Sequence, residues 1–213
     1  MPSGADPRDA DSRGEEPREA DPDAVQPRGD APGGVKSGGV KPGGAGPGWH
    51  PPELHPDLAP LSFLLGRWEG AGVGGYPTIE SFRFGQEISF SHNGKPFLIY
   101  ASRSWLLDED GNLVRPLATE TGYWRPQPGG QLELILAHPT GIAEIYVGEV
   151  TGTKIELRTD VVARTTSAKE VTAGHRLYGL VGPDLDLGWA YDMAAVGQPL
   201  QPHLSAQLKR AGS

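Results

Sequence analysis

From Ser81 onward, apolar and polar side chains alternate in short runs that are separated by turn residues. Alternation with a period of two is typical of strands whose two faces meet different environments. Tight turns such as Thr151-Gly152-Thr153 separate neighbouring runs, and the alternation is clearest in residues 82–90, 132–136, 155–161 and 185–193. The pattern predicts an all-β protein built from an antiparallel sheet.

Helical spacing is confined to the two ends of this region. Leu58, Leu61, Leu64 and Leu65 are spaced as one face of a short helix, and they run directly into Gly66-Arg67-Trp68. Near the C-terminus, the run from Pro202 to the basic Arg210 predicts a second short helix, with His203 in its first turn.

Strands of this length without long helices between them predict a sandwich or a closed barrel. A short apolar plug followed by a Gly-x-Trp strand resembles the opening of the lipocalin and fatty-acid-binding barrels, where the plug closes one end. We therefore expect an eight- to ten-stranded barrel, which has room for one small ligand in or at its mouth.

Composition divides the chain into two parts. The 213 residues include 31 Gly and 21 Pro, and many of these lie in residues 1–48, a segment without any aromatic side chain. Such a segment buries too little apolar surface to offset its ordering entropy. We predict a disordered Pro/Gly- and charge-rich tail over 1–48 and one folded domain over 49–213.

Several functional classes are disfavoured by charge and composition. The net charge of −8 gives no sign of the basic face that nucleic-acid binding needs. The absence of cysteine excludes disulfides, iron–sulfur clusters and thiolate-held zinc or haem. No signal-like or membrane-spanning apolar stretch is present, so we expect a cytoplasmic protein that does not enter membranes.

The segment Gly70–Gly75 matches the GxGxxG pattern of dinucleotide-binding proteins. That pattern works only where it joins a parallel strand to a helix whose N-terminus holds the pyrophosphate. Here Tyr76 and Pro77 follow, and then strand periodicity resumes. We interpret the glycines instead as a place where a barrel strand bends and approaches its neighbours closely.

Candidate catalytic side chains are few. Glu120, Glu133, Glu144 and Glu149 are scattered at strand spacing, which favours a solvated outer face. No nucleophile, base and acid occur in a recognisable order, so an enzyme of this sequence would take its reactivity from a cofactor.

Of the six histidines, His203 stands out as a candidate metal ligand, because a histidine in the first turn of a helix favours its neutral form. On the sequence pattern alone, an exposed histidine near the C-terminus remains the simpler interpretation. The other five show no zinc-binding spacing and are more simply explained as surface or structural residues: His50, His55, His92, His138 and His175.

Five motifs in order along the domain resemble those of the bacterial nitrobindins. The first is the GxWxGxG motif, carried by Gly66, Trp68, Gly70 and Gly72. The others follow at Tyr76–Ile79, at Ser91–Pro96, at Glu120–Tyr123 and at Gln198–Leu204. The similarity runs from about His55 to Arg210 and so covers essentially the whole predicted domain.

The resemblance implies a ten-stranded antiparallel β-barrel that binds one haem b per subunit in a cleft at its mouth. It implies His203 as the axial iron ligand and Thr78 at the haem site, and we expect Met193 to face the haem as well. A histidine that the family carries near the haem corresponds to Ala118 here, which removes a polar contact but leaves the iron ligand.

The family's activity is the isomerisation of peroxynitrite to nitrate at ferric haem, alongside nitric oxide binding. We therefore expect a haem-dependent peroxynitrite isomerase whose partners are these small molecules. The sequence leaves open whether the protein forms a homodimer. Two other functions remain: a haem-free carrier of a small lipophilic ligand, and a non-catalytic sensor of nitric oxide or peroxynitrite.

Overall fold

Ten strands make up almost all of the structure, a computed structural model that describes residues 52–212. The strands are β1 (Gly66–Tyr76), β2 (Ile79–Ser91), β3 (Leu98–Leu107), β4 (Leu113–Pro126), β5 (Gln131–His138), β6 (Ile142–Thr151), β7 (Lys154–Arg164), β8 (Val171–Val181), β9 (Asp186–Ala195) and β10 (Gln201–Arg210). A 3₁₀ helix (Pro56–Leu64) precedes them, and a 3₁₀ turn (Pro128–Gly130) joins β4 to β5. The tail predicted over 1–48 lies outside the described residues.

Each strand pairs antiparallel with the next one along the chain, and β10 pairs with both β9 and β1. The sheet is therefore a closed barrel of ten strands, which confirms the predicted fold class. Closure gives every strand of residues 52–212 a neighbour on both sides, although β7 pairs with β8 only from Lys154 to Arg158.

Three glycines of β1 allow the barrel to close. Gly70 pairs with Leu208 and Gly72 with Ala206 across the β1–β10 seam. A Cβ atom on Gly72 would lie less than 3.0 Å from the Ser205 carbonyl oxygen, the Phe84 ring and the Ala206 Cβ. A Cβ on Gly74 would collide in the same way with the Phe82 ring. The interpretation of this glycine run as a site of close strand approach is confirmed.

The N-terminal plug closes one end of the barrel. Its leucines Leu58, Leu61 and Leu64 are fully buried, and the Trp68 indole N–H donates to the Leu64 carbonyl at 2.7 Å. Arg210, at the end of β10, donates to the carbonyls of Phe63 and Leu65, and its guanidinium lies 4.2 Å from the centre of the Trp68 ring. The expected plug is present as a 3₁₀ helix, tied to the first and last strands.

The predicted C-terminal helix is wrong, because residues 201–210 form strand β10. Leu204, Ala206 and Leu208 are two residues apart, so in an extended chain they share one face. That spacing suits a strand, and a helix here would have left β1 and β9 each with an unpaired edge.

Large aromatic side chains fill much of the barrel interior. Trp68, Trp124, Tyr100 and Tyr146 are at most 1% exposed, and they pack with aliphatic residues from most strands in one cluster. The interior is therefore a packed core rather than an open ligand chamber. Among residues 52–212, no helix is long and apolar enough to cross a membrane.

We expect Gly72→Ala to destabilise the barrel by about 1–3 kcal/mol, the usual cost of forcing extra atoms into a packed region. The physical reason is the collision of the new methyl group with β10 and Phe84. Urea unfolding followed by circular dichroism measures the loss.

Gly212→Ala is the matched control, because a Cβ at Gly212 meets no atom within 4 Å. Its stability should stay within about 0.5 kcal/mol of the parent, as at other open surface positions. Equal stability of the two variants would show that the β1–β10 approach does not depend on Gly72.

Candidate functional site

A cleft of about 530 Å³ opens at the end of the barrel opposite the plug. Its volume lies within the usual range for small-molecule and cofactor sites. Its lining is mainly apolar, with a few polar groups: Ile79, Glu80, Ser81, Phe82, Phe84, Gln86, Ser102, Ser104, Leu106, Arg115, Leu117, Ala118, Glu120, Trp189, His203 and Leu204. Among the histidines of residues 52–212, only His203 lines this cleft.

A β-bulge in β10 sets the direction of His203. Pro202 pairs with Asp192, but the next paired residue on β10 is Leu204, opposite Tyr191. His203 is thus the extra residue of the bulge, and bulges commonly turn one side chain away from the regular alternation of a strand. Both His203 and Leu204 consequently line the cleft, although they are neighbours in sequence.

The His203 imidazole is held by one hydrogen bond to the backbone. Its Nδ1 lies 3.0 Å from the carbonyl oxygen of Gly75 in β1. A carbonyl only accepts, so Nδ1 must carry the proton and donate, which leaves the lone pair of a neutral ring on Nε2. Nε2 has no hydrogen-bond partner among residues 52–212 and is therefore free to bind a metal.

The surroundings of His203 favour the neutral ring. Desolvation of the partly buried imidazole lowers the pKa of His203 below its usual value, and the hydrogen bond to the Gly75 carbonyl offsets this only in part. A neutral imidazole is the form that a metal requires. The neutral form inferred from the sequence is supported, but its cause is burial in a strand and not the end of a helix.

Two tyrosine rings fix the position of the imidazole. The rings of Tyr76 and Tyr191 lie edge-on to His203, with centroid distances of 5.4 and 5.9 Å. The Tyr76 hydroxyl accepts from the Ala195 backbone N–H at 2.9 Å and lies 3.1 Å from the Met193 carbonyl, to which it donates. The ring is therefore held from β1, β9 and β10 together.

A buried ion pair lies beneath the cleft. Arg176 donates to both carboxylate oxygens of Glu120, at 2.9 and 3.1 Å, and also to the Tyr146 hydroxyl at 3.1 Å. Its guanidinium lies 4.4 Å from the centre of the Tyr191 ring. Burial raises the pKa of Glu120, but Arg176 outweighs it and holds that pKa below its usual value.

Glu144 and His138 extend this ion pair. Glu144 is buried, 3.0 Å from the His138 ring and 3.7 Å from Arg176. The prediction that Glu120 and Glu144 lie on a solvated outer face is therefore wrong, because both point inward toward Arg176. The sequence signal was available: Glu144 shares its strand parity with the buried Tyr146.

Glu133, Glu149 and His175 stay outside the cleft. Glu133 and Glu149 lie on the outer surface, as predicted. His175 has a structural role: its two ring nitrogens lie 3.2 Å from Glu156 and 3.3 Å from Asp192. Within residues 52–212, no set of His and carboxylate side chains is grouped to hold a bare metal ion.

The other predicted haem-site residues lie around the cleft at different depths. Ala118 lines it, and its backbone exchanges two hydrogen bonds with the Ser104 hydroxyl. Thr78 is exposed in the turn before Ile79, at the rim rather than in the lining. Met193 is partly buried against the core and does not line the cleft. The structure thus brings His203 and Ala118 to one cavity and leaves Thr78 and Met193 beside it.

Sequence reasoning missed a polar chain in the cleft wall. The Trp189 indole N–H donates to Gln86 at 2.8 Å, and the Gln86 amide donates to Ser102 at 2.9 Å. Gln86 and Ser102 are both buried. A polar residue at an inward position of an otherwise apolar strand is the signal that could have found Gln86.

Comparison with known proteins also indicates a haem-binding β-barrel. The family model for the THAP4-like, heme-binding beta-barrel domain matches residues 57–210. The chain belongs to this family. The resemblance to nitrobindins inferred from the five motifs is confirmed, and the fit to haem agrees with a cleft that offers one neutral imidazole with a free Nε2.

Individual relatives are similar over most of the barrel. A protein of Nocardioides sp. named peroxynitrite isomerase is 56% identical over 154 residues, covering 72% of this chain and 93% of the relative. A ferric nitrobindin-like protein of Kineococcus radiotolerans is 52% identical over 168 residues, covering 72% and 92%. The crystal structure of Rv2717c from M. tuberculosis superposes with a TM-score of 0.67 at 47% identity, covering 75% of this chain and all of that one.

We expect Arg176→Met to destabilise the barrel by about 3–5 kcal/mol at neutral pH, because it leaves a buried carboxylate without its partner. In the parent, the lowered pKa of Glu120 means that its contribution to stability is present above its unfolded pKa and is lost as the pH falls through the folded pKa. In the variant, protonation of Glu120 relieves the unpaired charge. The difference between the two proteins in urea unfolding should therefore shrink on acidification.

Arg158→Met is the control for this experiment. Arg158 makes an ion pair with Glu156 at 3.0 Å, but its side chain is 63% exposed. Such surface pairs contribute about 0–1 kcal/mol. A loss of stability in Arg176→Met as small as that in the control would contradict the role given to the buried pair.

Proposed function

We propose that this protein is a haem-dependent peroxynitrite isomerase, with His203 as the single axial ligand of one haem b in the cleft. The observation that carries the proposal is the His203 imidazole, neutral and fixed through Nδ1 to Gly75, so that Nε2 is free beside an apolar cavity. The names of relatives 52–56% identical support the same activity.

Haem held by one histidine supplies an open coordination position at its iron, where peroxynitrite can be converted to nitrate and nitric oxide can bind. The conversion is an isomerisation, so it requires no further substrate and no net gain or loss of a proton. A general base is therefore not needed, in agreement with a cleft whose carboxylate Glu120 is already engaged by Arg176.

The residues in and beside the cleft have three tasks in this proposal. His203 holds the iron, and Gly75 keeps the imidazole in the tautomer that can do so. Phe84, Leu204 and Trp189 form apolar walls that exclude water from the reacting anion. Thr78 at the rim and Met193 in β9 are proposed to contact the edge of the cofactor.

The interior of the barrel argues against the haem-free carrier. The core beneath the cleft is filled by aromatic rings and by the Arg176–Glu120 pair, so within residues 52–212 a lipophilic ligand could not extend from the cleft into the barrel. The sensor remains a distinct alternative, since binding without turnover needs the same cleft.

We expect the ferric, haem-reconstituted protein to accelerate peroxynitrite decay over many turnovers, with nitrate as the product. His203→Ala should lose the Soret band of the bound haem and fall to the rate of buffer with free haem, because Nε2 is the only proposed protein ligand. Stopped-flow absorption and nitrate analysis measure both effects.

His92→Ala is the matched control, since His92 lies in the β2–β3 connection, away from the cleft. This variant should keep the Soret band of the parent and its rate of peroxynitrite decay. An unchanged Soret band in His203→Ala would overturn the proposed ligand, and a single stoichiometric reaction in the parent would leave only the sensor.

Ala118→His tests the departure from the family pattern. The new side chain enters the cleft and restores a polar group beside the cofactor. One added hydrogen bond of about 0.5–1.5 kcal/mol should slow haem transfer to an acceptor apoprotein by roughly two- to tenfold. Transfer at the parent rate would show that position 118 is neutral for haem retention.

A further inference from the structure

A chain of oxidisable rings leads from the cleft wall into the core. Trp189 lines the cleft and stacks on Tyr178, with ring centroids 6.2 Å apart and planes inclined by 22°. Tyr178 lies edge-on to Trp124 at 5.0 Å, and Trp124 lies 6.0 Å from Tyr100. The four rings are in successive contact, so an electron could pass between neighbours without crossing a gap.

Indole and phenol rings are the main oxidisable groups of the barrel. The sequence has no cysteine and two methionines, of which Met193 does not line the cleft. Within residues 52–212, an oxidising species in the cleft therefore meets the Trp189 indole before a sulfur atom. Indole and phenol rings are the groups that remain to give up an electron.

Tyr100 differs from Tyr178 in what its hydroxyl contacts. The Tyr100 hydroxyl donates to Glu120 Oε2 at 3.1 Å, whereas the Tyr178 hydroxyl accepts from the cationic Arg176 at 3.3 Å. Burial, and then the charge of Glu120, raise the pKa of Tyr100, so the phenol keeps its proton in the resting protein. An oxidised phenol is a strong acid, and only Tyr100 in this chain of four rings has a carboxylate placed to take that proton.

We propose that Trp189, Tyr178, Trp124 and Tyr100 form an electron-transfer route that moves oxidising equivalents from the cleft to a radical site at Tyr100. A one-electron oxidant in the cleft, such as nitrogen dioxide, takes an electron from Trp189 and is reduced to nitrite. An electron from Tyr100 then passes through Trp124 and Tyr178 and reduces the oxidised Trp189 indole. The Tyr100 hydroxyl proton passes to Glu120. The net change is one nitrite, one neutral Tyr100 phenoxyl radical and one protonated Glu120 carboxyl group.

Glu120 also connects the end of the route to solvent. Its side chain is 17% exposed and lines the cleft, so a proton taken from Tyr100 can leave toward the opening. Tyr100 itself is 1% exposed. The radical is thereby placed on a buried ring that does not line the cleft, and this function is distinct from isomerisation.

Pulse radiolysis of the full-length protein tests the route. Azide radical, a one-electron oxidant that attacks indoles rapidly, first produces indolyl radicals with their own absorption. We expect part of that absorption to convert into phenoxyl absorption at a rate independent of protein concentration. The conversion should be lost in Tyr100→Phe and strongly slowed in Trp124→Phe, whose indole N–H has no hydrogen-bond partner in residues 52–212 to lose.

Tyr123→Phe is the matched control. Tyr123 is 49% exposed, packs on Phe97 at the outer surface and is not part of the route. In this variant, indolyl absorption should convert into phenoxyl absorption at the same rate as in the parent. A phenoxyl yield that persists in Tyr100→Phe, or a rate that rises with protein concentration, would overturn the proposal.

A second measurement needs no variant and so does not depend on folding. Tandem mass spectrometry of the parent after exposure to nitrogen dioxide locates the nitrated tyrosines. Nitration at the buried Tyr100 supports the route, and nitration confined to exposed rings such as Tyr123 contradicts it. Neither measurement involves peroxynitrite turnover, so the outcome is independent of the proposed isomerase activity.

Discussion

The close approach of β10 to β1 is the constraint on which the rest of the barrel depends. It requires Gly70, Gly72 and Gly74, because a side chain at any of them would collide with a neighbouring strand. Once β10 lies in the seam, its bulge brings His203 within hydrogen-bonding distance of the Gly75 carbonyl. The glycine-rich motif of β1 therefore contributes to the site without lining the cleft, since it makes room for the strand that carries the imidazole.

Beneath the cleft, charge and aromatic packing support one another. Arg176 is compensated by Glu120 and lies against the faces of Tyr146 and Tyr191. Tyr191 in turn contacts the His203 ring. A charged group in the centre of a small barrel is costly unless its hydrogen bonds are satisfied. Here Arg176 is hydrogen-bonded, and through Tyr191 it also helps to hold the His203 ring in place.

Alternation of side chains predicted a sandwich or a closed barrel, and the apolar plug before Gly66-Arg67-Trp68 favoured the barrel. The number of ten strands and the place of His203 at the mouth came from the resemblance to nitrobindins. The last strand was missed because Leu204, Ala206 and Leu208 were followed by basic residues, which also mark the ends of helices. Pairing with β1 and β9 makes residues 201–210 a strand rather than a helix. Because β1 is far away in the chain, the local sequence does not reveal this pairing. Glu120 and Glu144 were misplaced for a related reason: their partner Arg176 lies on β8, and isolated acidic residues in strands are usually solvated.

The seam between β1 and β10 joins residues that are far apart in the chain, such as Trp68 and Arg210. Contacts of such large sequence separation carry the greatest loop-closure entropy and tend to form late in folding. During synthesis, β1 leaves the ribosome long before β10 exists. The imidazole and the carbonyl that orients it are therefore assembled only at the final stage, and partly folded chains would lack a competent cofactor site.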